Sequence, residues 1–285
     1  MTLQQTPISH PFTPAEVLLA TLAELDRERN AVAEIQRLLL PTVLPEIPGF
    51  EMCPYYRPSA RASGDYYDVV PLVNHQWGFV MADVAGHGTP AAVVMTVMRT
   101  LIHAELPVNR EKSAGEFLER INGVMCETYL RNGRFVTVWA AVLDPVSRRL
   151  TYASAGHNPP RLLRGDSVLV LDSVGGLPVG INPAATYEDE GITLEPEDLL
   201  VIYTDGITEA MRPGIEGLEL FGAEGLDQVL SECGSDCACE CAERVTKAIA
   251  AFTNNAPPTD DQTMLILRAR SGIRGSENAG EPAQL

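Results

Sequence analysis

Apolar and polar positions follow two different rhythms along this chain. Between Pro14 and Leu40, Leu18, Leu22, Leu25, Arg29, Val32, Gln36 and Leu39 recur at alternating steps of four and three. This is an a/d seam over about three heptads, interrupted by the polar residues Arg29 and Gln36. It predicts a single helix with Thr13 as N-cap and Pro14 in the first turn. The seam packs either on the chain's own domain or against a second subunit.

From Phe50 onward the rhythm changes to short apolar runs punctuated by Gly, Pro, Asn and Asp. Strands are predicted near 50–56, 66–72 and 77–83, followed by helices near 89–105 and 113–131. Further strands fall near 136–143, 149–155, 160–164, 168–172 and 198–204, then helices near 222–232 and 236–252 and a last strand at 263–269. Runs of hairpin-linked strands with helices in pairs point to an α+β fold of antiparallel sheets covered by helices, not a doubly wound parallel sheet. The chain then divides into a loose, proline-spotted start (1–13), a linker helix (14–45), one folded domain (46–270) and a tail from Ser271 with no periodicity, expected to be disordered. Met211–Leu220, with two glycines and a proline, is expected to form a mobile flap.

With 285 residues and 45% hydrophobic content, one large core is affordable along with extensions at both ends. Lys plus Arg number 21 against 38 acids, a formal net charge of −17, which argues against a nucleic-acid binder. There is no early apolar stretch with basic flanks and no uninterrupted apolar run long enough for a span, so neither a signal peptide nor a membrane helix is expected and the protein is expected to be cytoplasmic. Six cysteines in that setting are expected to be reduced thiols. Cys233, Cys237, Cys239 and Cys241 crowd together with a spacing that is not a standard zinc pattern. Cys237 and Cys241 are expected on one helix face, either as small packing residues or with a metal or redox role.

The chemistry lies in four acidic blocks: Gly64-Asp65-Tyr66-Tyr67-Asp68, Asp83-Val84-Ala85-Gly86-His87-Gly88, Thr204-Asp205-Gly206 and Asp260-Asp261-Gln262-Thr263. Two follow a strand-like run and two precede one, so each sits where a buried strand meets a loop. Carboxylates gathered at sheet ends repel one another unless a cation holds them, and an all-oxygen donor set favours magnesium or manganese over zinc. Two divalent ions about 4 Å apart repel by roughly 16 kcal/mol at an effective dielectric near 20. Three or four aspartates offset that repulsion, and the metal pair then readies a bridging water for in-line attack on a phosphoryl group without a serine or cysteine nucleophile.

At these residues the chain resembles the PPM-type metal-dependent serine/threonine protein phosphatases, in the bacterial SpoIIE/RsbU-like branch. The resemblance runs from about Ala33 to about Arg268. It includes Ile35-Gln36-Arg37-Leu38-Leu39-Leu40-Pro41, the stretch Leu44 to Glu51, the four acidic blocks in order, Ala155-Gly156-His157-Asn158-Pro159 and Gly176-Leu177-Pro178-Val179-Gly180. It implies an α-β-β-α sandwich and two Mn2+ or Mg2+ ions, with Asp83 bridging both and the Val84 carbonyl ligating one. Asp205 and Asp260 would hold the second ion and Asp65 would approach the other, often through water. Asp261 would support the adjacent ligand, with the alternative that it ligates in place of Asp260. Arg61, four residues before Asp65, is either a substrate-phosphate ligand or a surface arginine. His87 lies four residues after Asp83, whereas the eukaryotic branch has its histidine two residues after, so it is either a substrate-side group or part of a glycine turn opening a helix. Ser63, where many relatives have glycine, is expected to be a harmless exchange. The resemblance implies a phosphorylated STAS-type protein as substrate, homodimerisation through the linker helix, and activation by another protein or by the dimer itself. Two alternatives stay open: a catalytically weak dimeric scaffold of the same fold, and a small-molecule phosphoesterase.

Overall fold

The computed structural model describes residues 13–105, 113–129, 133–214 and 219–271. The chain opens with α1 (Pro14–Leu39), then β1 (Phe50–Arg57), β2 (Tyr66–Pro71), β3 (Trp77–Val84), α2 (Thr89–Glu105) and α3 (Ala114–Thr128). β4 (Val136–Asp144), β5 (Arg149–Ala155), β6 (Arg161–Arg164), β7 (Ser167–Val170), β8 (Glu190–Thr193) and β9 (Leu199–Tyr203) follow. A one-turn α4 (Asp205–Thr208), α5 (Gly222–Ser231), α6 (Ala238–Phe252) and β10 (Gln262–Ala269) complete it.

Two five-stranded sheets form, ordered β1-β10-β9-β6-β7 and β2-β3-β4-β5-β8, and every strand pair in them is antiparallel. α2 and α3 cover the second sheet and α5 and α6 the first, so the antiparallel sheets are covered by helices as the strand and helix blocks predicted, in the α-β-β-α sandwich that the resemblance implied. The uninterrupted apolar run of β10 follows from its place: it is central and buried on both faces. Leu265, Leu267 and Ala269 join the core between the sheets, while Met264 and Ile266 join the core under α5 and α6. β9 divides likewise, Leu200 and Ile202 to one side and Leu199, Val201 and Tyr203 to the other. Alternation of side chains along a strand thus feeds two cores at once. β1 lies at a sheet edge, where Pro54 costs no ladder hydrogen bond.

Helical spacing explains the outer layers. α2 turns Ala91, Met95, Met98 and Ile102 inward, and α3 turns Phe117, Leu118, Ile121 and Met125 inward under an N-cap in which the Ser113 hydroxyl accepts from Glu116 N–H at 3.2 Å. Two elements depart from the expected pattern. β8, a polar four-residue edge strand, has too little apolar content to announce itself, and α4 is a single turn following directly on β9.

The seam of α1 is split. Ala33 and Gln36 are buried and Leu39 is half-buried against the domain, while Leu18, Leu22 and Leu25 are 59%, 51% and 43% exposed. The segment expected to be a flap closes on itself through the backbone bond from Arg212 N–H to Glu219 O at 3.0 Å and a Met211–Leu220 bridge. Residues 215–218 of it, like residues 1–12 and 272–285 of the two termini, lie outside the described residues.

The expectation of six reduced thiols is corrected: Cys53 and Cys239 form a disulfide. The partners are 186 residues apart in sequence, and only the packing of the first turn of α6 on β1 brings their Cα atoms to 5.1 Å. Cys237 is not on the helix face shared with Cys241. It caps α6, its sulfur accepting from Glu240 N–H while the Glu240 carboxylate accepts from Cys237 N–H. Cys233 and Cys241 are buried in the core under α5 and α6 as small apolar groups.

Candidate metal centre

The four acidic blocks come together at one end of the sandwich. Asp83 is the penultimate residue of β3, Asp205 opens α4 immediately after β9, Asp260 and Asp261 lead into β10, and Asp65 leads into β2. β9 and β10 are locked at this end by two bonds, Thr204 N–H to Thr263 O at 3.0 Å and Thr263 N–H to the Thr204 hydroxyl at 3.1 Å.

Asp65 is buried, and its Oδ2 accepts from the hydroxyls of Thr204 (2.8 Å) and Thr263 (2.5 Å). Asp261 is also buried: Oδ1 accepts from the Ser59 N–H (2.7 Å) and hydroxyl (2.9 Å), and Oδ2 from Gly64 N–H (2.9 Å). Asp260 is exposed, with Oδ1 accepting from Asp261 N–H at 2.8 Å. Asp83 and Asp205 are half-buried. Two glycines make these approaches possible. A Cβ on Gly64 would stand 2.9 Å from the Val84 carbonyl oxygen, and one on Gly206 would stand 2.0 Å from the Asp261 carbonyl oxygen.

Electrostatics mark the same place. Burial, then the charges of Asp205, Asp260 and Asp261, push the Asp83 carboxyl up to about 7, although a hydrogen bond with Asp65 opposes this. Burial and then Asp260 and Glu209 push Asp205 up to about 6. Burial and then Asp83 hold Asp65 well above the usual carboxylate range. Each group resists ionising because it is dehydrated among like charges. A hard divalent cation relieves that cost, and the donor set, carboxylates with the Val84 carbonyl beside them, has the chemistry of magnesium or manganese ligands. Among the described residues, however, no three acidic, histidine or cysteine side chains stand close enough to hold an ion together. The carboxylates are brought to one place without closing a coordination sphere.

His157, from the Ala-Gly-His-Asn-Pro stretch, is buried between the two strand ends. Its Nδ1 pairs with the Thr137 hydroxyl at 2.9 Å, and Thr137 lies opposite Asp83 in the ladder. Nε2 lies beside the backbone of Tyr203, two residues before Asp205, without a well-formed hydrogen bond. Burial pulls the imidazole down to about 4, so it is neutral at physiological pH.

A cleft of about 590 Å³ is lined by Arg29, Ala60-Arg61-Ala62, His87 and Gly88-Thr89-Pro90, and none of the clustered aspartates lines it. His87 is exposed there between Gly86 (φ 94°) and Gly88 (φ 73°), and Gly88 O accepts from Ala92 N–H at 3.0 Å, so the segment is a glycine turn opening α2. Arg61 reaches α1, with an ion pair to Asp26 at 3.3 Å and a hydrogen bond to Asn30. Sequence reasoning did not assign Thr204, Thr263, Ser59 or the hydroxyl of Ser63, which accepts from Asp65 N–H at 3.0 Å. Thr204 adjoins Asp205 and Thr263 lies two residues after Asp261, which is a usable signal; Ser59 carries none.

The sequence profile of the stage II sporulation protein E (SpoIIE) family matches residues 74–270. Protein IcfG of Synechocystis is 26% identical over 268 residues, covering 86% of this chain and 41% of its own length. The phosphoserine phosphatase RsbU of Bacillus subtilis is 29% identical over 187 residues, covering 65% of this chain and 55% of its own length. The chain therefore spans about half the length of these relatives. Among solved structures, the SiaA-PP2C domain of Pseudomonas aeruginosa superposes with a TM-score of 0.76 at 20% identity, over 87% of this chain and 98% of that one. The chain belongs to the SpoIIE family of PPM-type phosphatases.

Proposed function

We propose that this chain is a magnesium- or manganese-dependent phosphoprotein phosphatase acting on serine or threonine phosphate of a partner protein. The observation that carries the reading is the convergence of Asp65, Asp83, Asp205, Asp260 and Asp261, with the Asp83 carboxyl raised to about 7 by burial and its acidic neighbours. When bound, a pair of such ions lowers the pKa of coordinated water and neutralises charge developing on the transferred phosphoryl group.

The chain's own residues then divide the work. Asp83, the Val84 carbonyl, Asp205 and Asp260 would hold the ions, their carboxylates supplying negative charge that is costly while they lie among like charges. Oδ2 of Asp65 accepts from Thr204 and Thr263 and both oxygens of Asp261 accept from Ser59 and Gly64, so these two carboxylates would orient the ligands. Neutral His157 keeps the β3–β4 and β9 strand ends apart without adding charge. The cleft with Arg29, Arg61 and His87 receives the phosphorylated segment, the arginines binding anionic oxygens.

The substrate we favour is a STAS-type regulator in a partner switch, in line with the likeness to RsbU. The exposed Leu18, Leu22 and Leu25 support homodimerisation through the free half of α1. Hydrolysis of p-nitrophenyl phosphate with added Mn2+ tests the chemistry: wild type is active, and chelation with EDTA abolishes turnover. Full activity in excess EDTA rejects the proposal. Light scattering tests the dimer, for which Leu18→Glu with Leu25→Glu should halve the mass while turnover of the small substrate is kept.

A further inference from the structure

Gln36 is a polar residue in an apolar seam, and it is buried, with 3% exposure. Its carboxamide pairs reciprocally with the backbone of Ser63. Ser63 N–H donates to Oε1 at 2.9 Å, and Nε2 donates to Ser63 O. A side chain from α1 thereby satisfies both polar groups of one residue in the turn before β2. The turn passes the constraint on. The Ser63 hydroxyl accepts from Asp65 N–H at 3.0 Å, and Gly64 N–H donates to Asp261 Oδ2 at 2.9 Å. Gly64 itself lies too near the Val84 carbonyl oxygen to accept a Cβ without displacement. Gln36 therefore fixes one side of a three-residue turn whose other sides touch Val84 and Asp261.

We infer that Gln36 is a positioning residue for the metal centre: it holds Ser63-Gly64-Asp65 in the conformation that presents Asp65 and Asp261 to Asp83. This rests on the metal reading above. The plain alternative is that Gln36 only anchors α1, and the structure offers a comparison. The same helix end is tied to α2 by Arg99, whose Nε donates to Leu39 O at 2.6 Å without touching the turn.

The test is calorimetric titration of Mn2+ into the metal-free 285-residue chain, with p-nitrophenyl phosphate turnover measured at saturating Mn2+. Gln36→Leu, close in volume and without polar atoms, should raise the Mn2+ Kd by about tenfold or more, the range seen when a group supporting a metal ligand is lost. Its turnover should recover at saturating metal. Arg99→Met should leave the Mn2+ Kd within about twofold of wild type, although it too loosens α1. Wild-type Kd in Gln36→Leu overturns the inference, as does an equal loss in Arg99→Met. If Gln36→Leu does not fold, amide hydrogen exchange on the wild-type metal-free protein decides the matter: protected Ser63 and Gly64 amides support the clamp and rapid exchange overturns it. A wild type that takes up no Mn2+ at all refutes the metal reading itself, which is distinguishable from normal uptake in both variants.

Discussion

The acidic cluster contains two kinds of carboxylate, and they differ in what surrounds them. Asp65 and Asp261 are buried but furnished with hydroxyl and amide donors. Asp83 and Asp205 are partly buried among like charges and sit well above the ordinary carboxylate range, at about 7 and about 6. The first pair has its hydrogen bonds built into the fold. Asp65 shares the upward shift, through burial and Asp83, but the second pair has fewer donors to offset it, and under the proposed reading a divalent cation does so. On the proposed reading, the donors around Asp65 and Asp261 mark them as supports and the like-charged surroundings of Asp83 and Asp205 mark them as ligands, with exposed Asp260 beside them.

The largest effect separating the two classes is expected at Asp83. Asp83→Ala should lower Mn2+-dependent turnover of p-nitrophenyl phosphate by on the order of a thousandfold, as loss of several kcal/mol of charge stabilisation implies. Circular dichroism of that variant should stay native. A variant retaining most of its turnover would break the distinction. Next come the supports. Thr204→Val with Thr263→Val strips Asp65 of its hydroxyl donors and should weaken Mn2+ binding by about ten- to a hundredfold, read by calorimetry. Unchanged affinity would mean that Asp65 does not depend on them.

The raised carboxyls also predict a pH dependence. A carboxyl with a folded pKa above its unfolded value of 3.8 binds more protons in the folded state between those values. The metal-free protein should therefore lose stability as pH rises from about 4 to about 7, while Mn2+ affinity rises over the same window as protons cease to compete. Thermal melts with and without Mn2+ across that range check the sign. A metal-free protein that gains stability from Asp83 and Asp205 as pH rises would contradict it. The smallest effect belongs to a region remote from the acidic cluster. Cys53→Ser should lower the melting temperature by several degrees, consistent with the usual 2–4 kcal/mol from a disulfide, and leave turnover unchanged.

Much of this arrangement was legible in the sequence, because each aspartate of the site borders an apolar run long enough to betray a buried strand. Leu199–Tyr203 and Gln262–Ala269 announce β9 and β10, and hence where Asp205 and Asp260 must emerge. What stayed hidden depends on distant segments meeting. Ser59 reaches Asp261 across 202 positions and Cys53 reaches Cys239 across 186, and neither has a local pattern to mark it. Gln36 was visible as an interruption of the seam but gave no sign of its partner, since the Ser63 backbone has no side-chain signature. β8 was missed because an exposed edge strand needs few apolar residues. The split of α1 follows the same logic: a seven-residue repeat shows that a face wants cover and leaves open whether the domain or a second subunit supplies it.

The central claim is that Asp83, Asp205 and Asp260 hold divalent cations between the ends of β3, β9 and β10. Anomalous scattering from crystals soaked in manganese chloride tests it most directly. The account predicts manganese peaks bonded to Asp83 and flanked by Asp205 and Asp260, absent from crystals of Asp83→Ala. Crystals that show no manganese near these carboxylates, or manganese held by other residues, would contradict it.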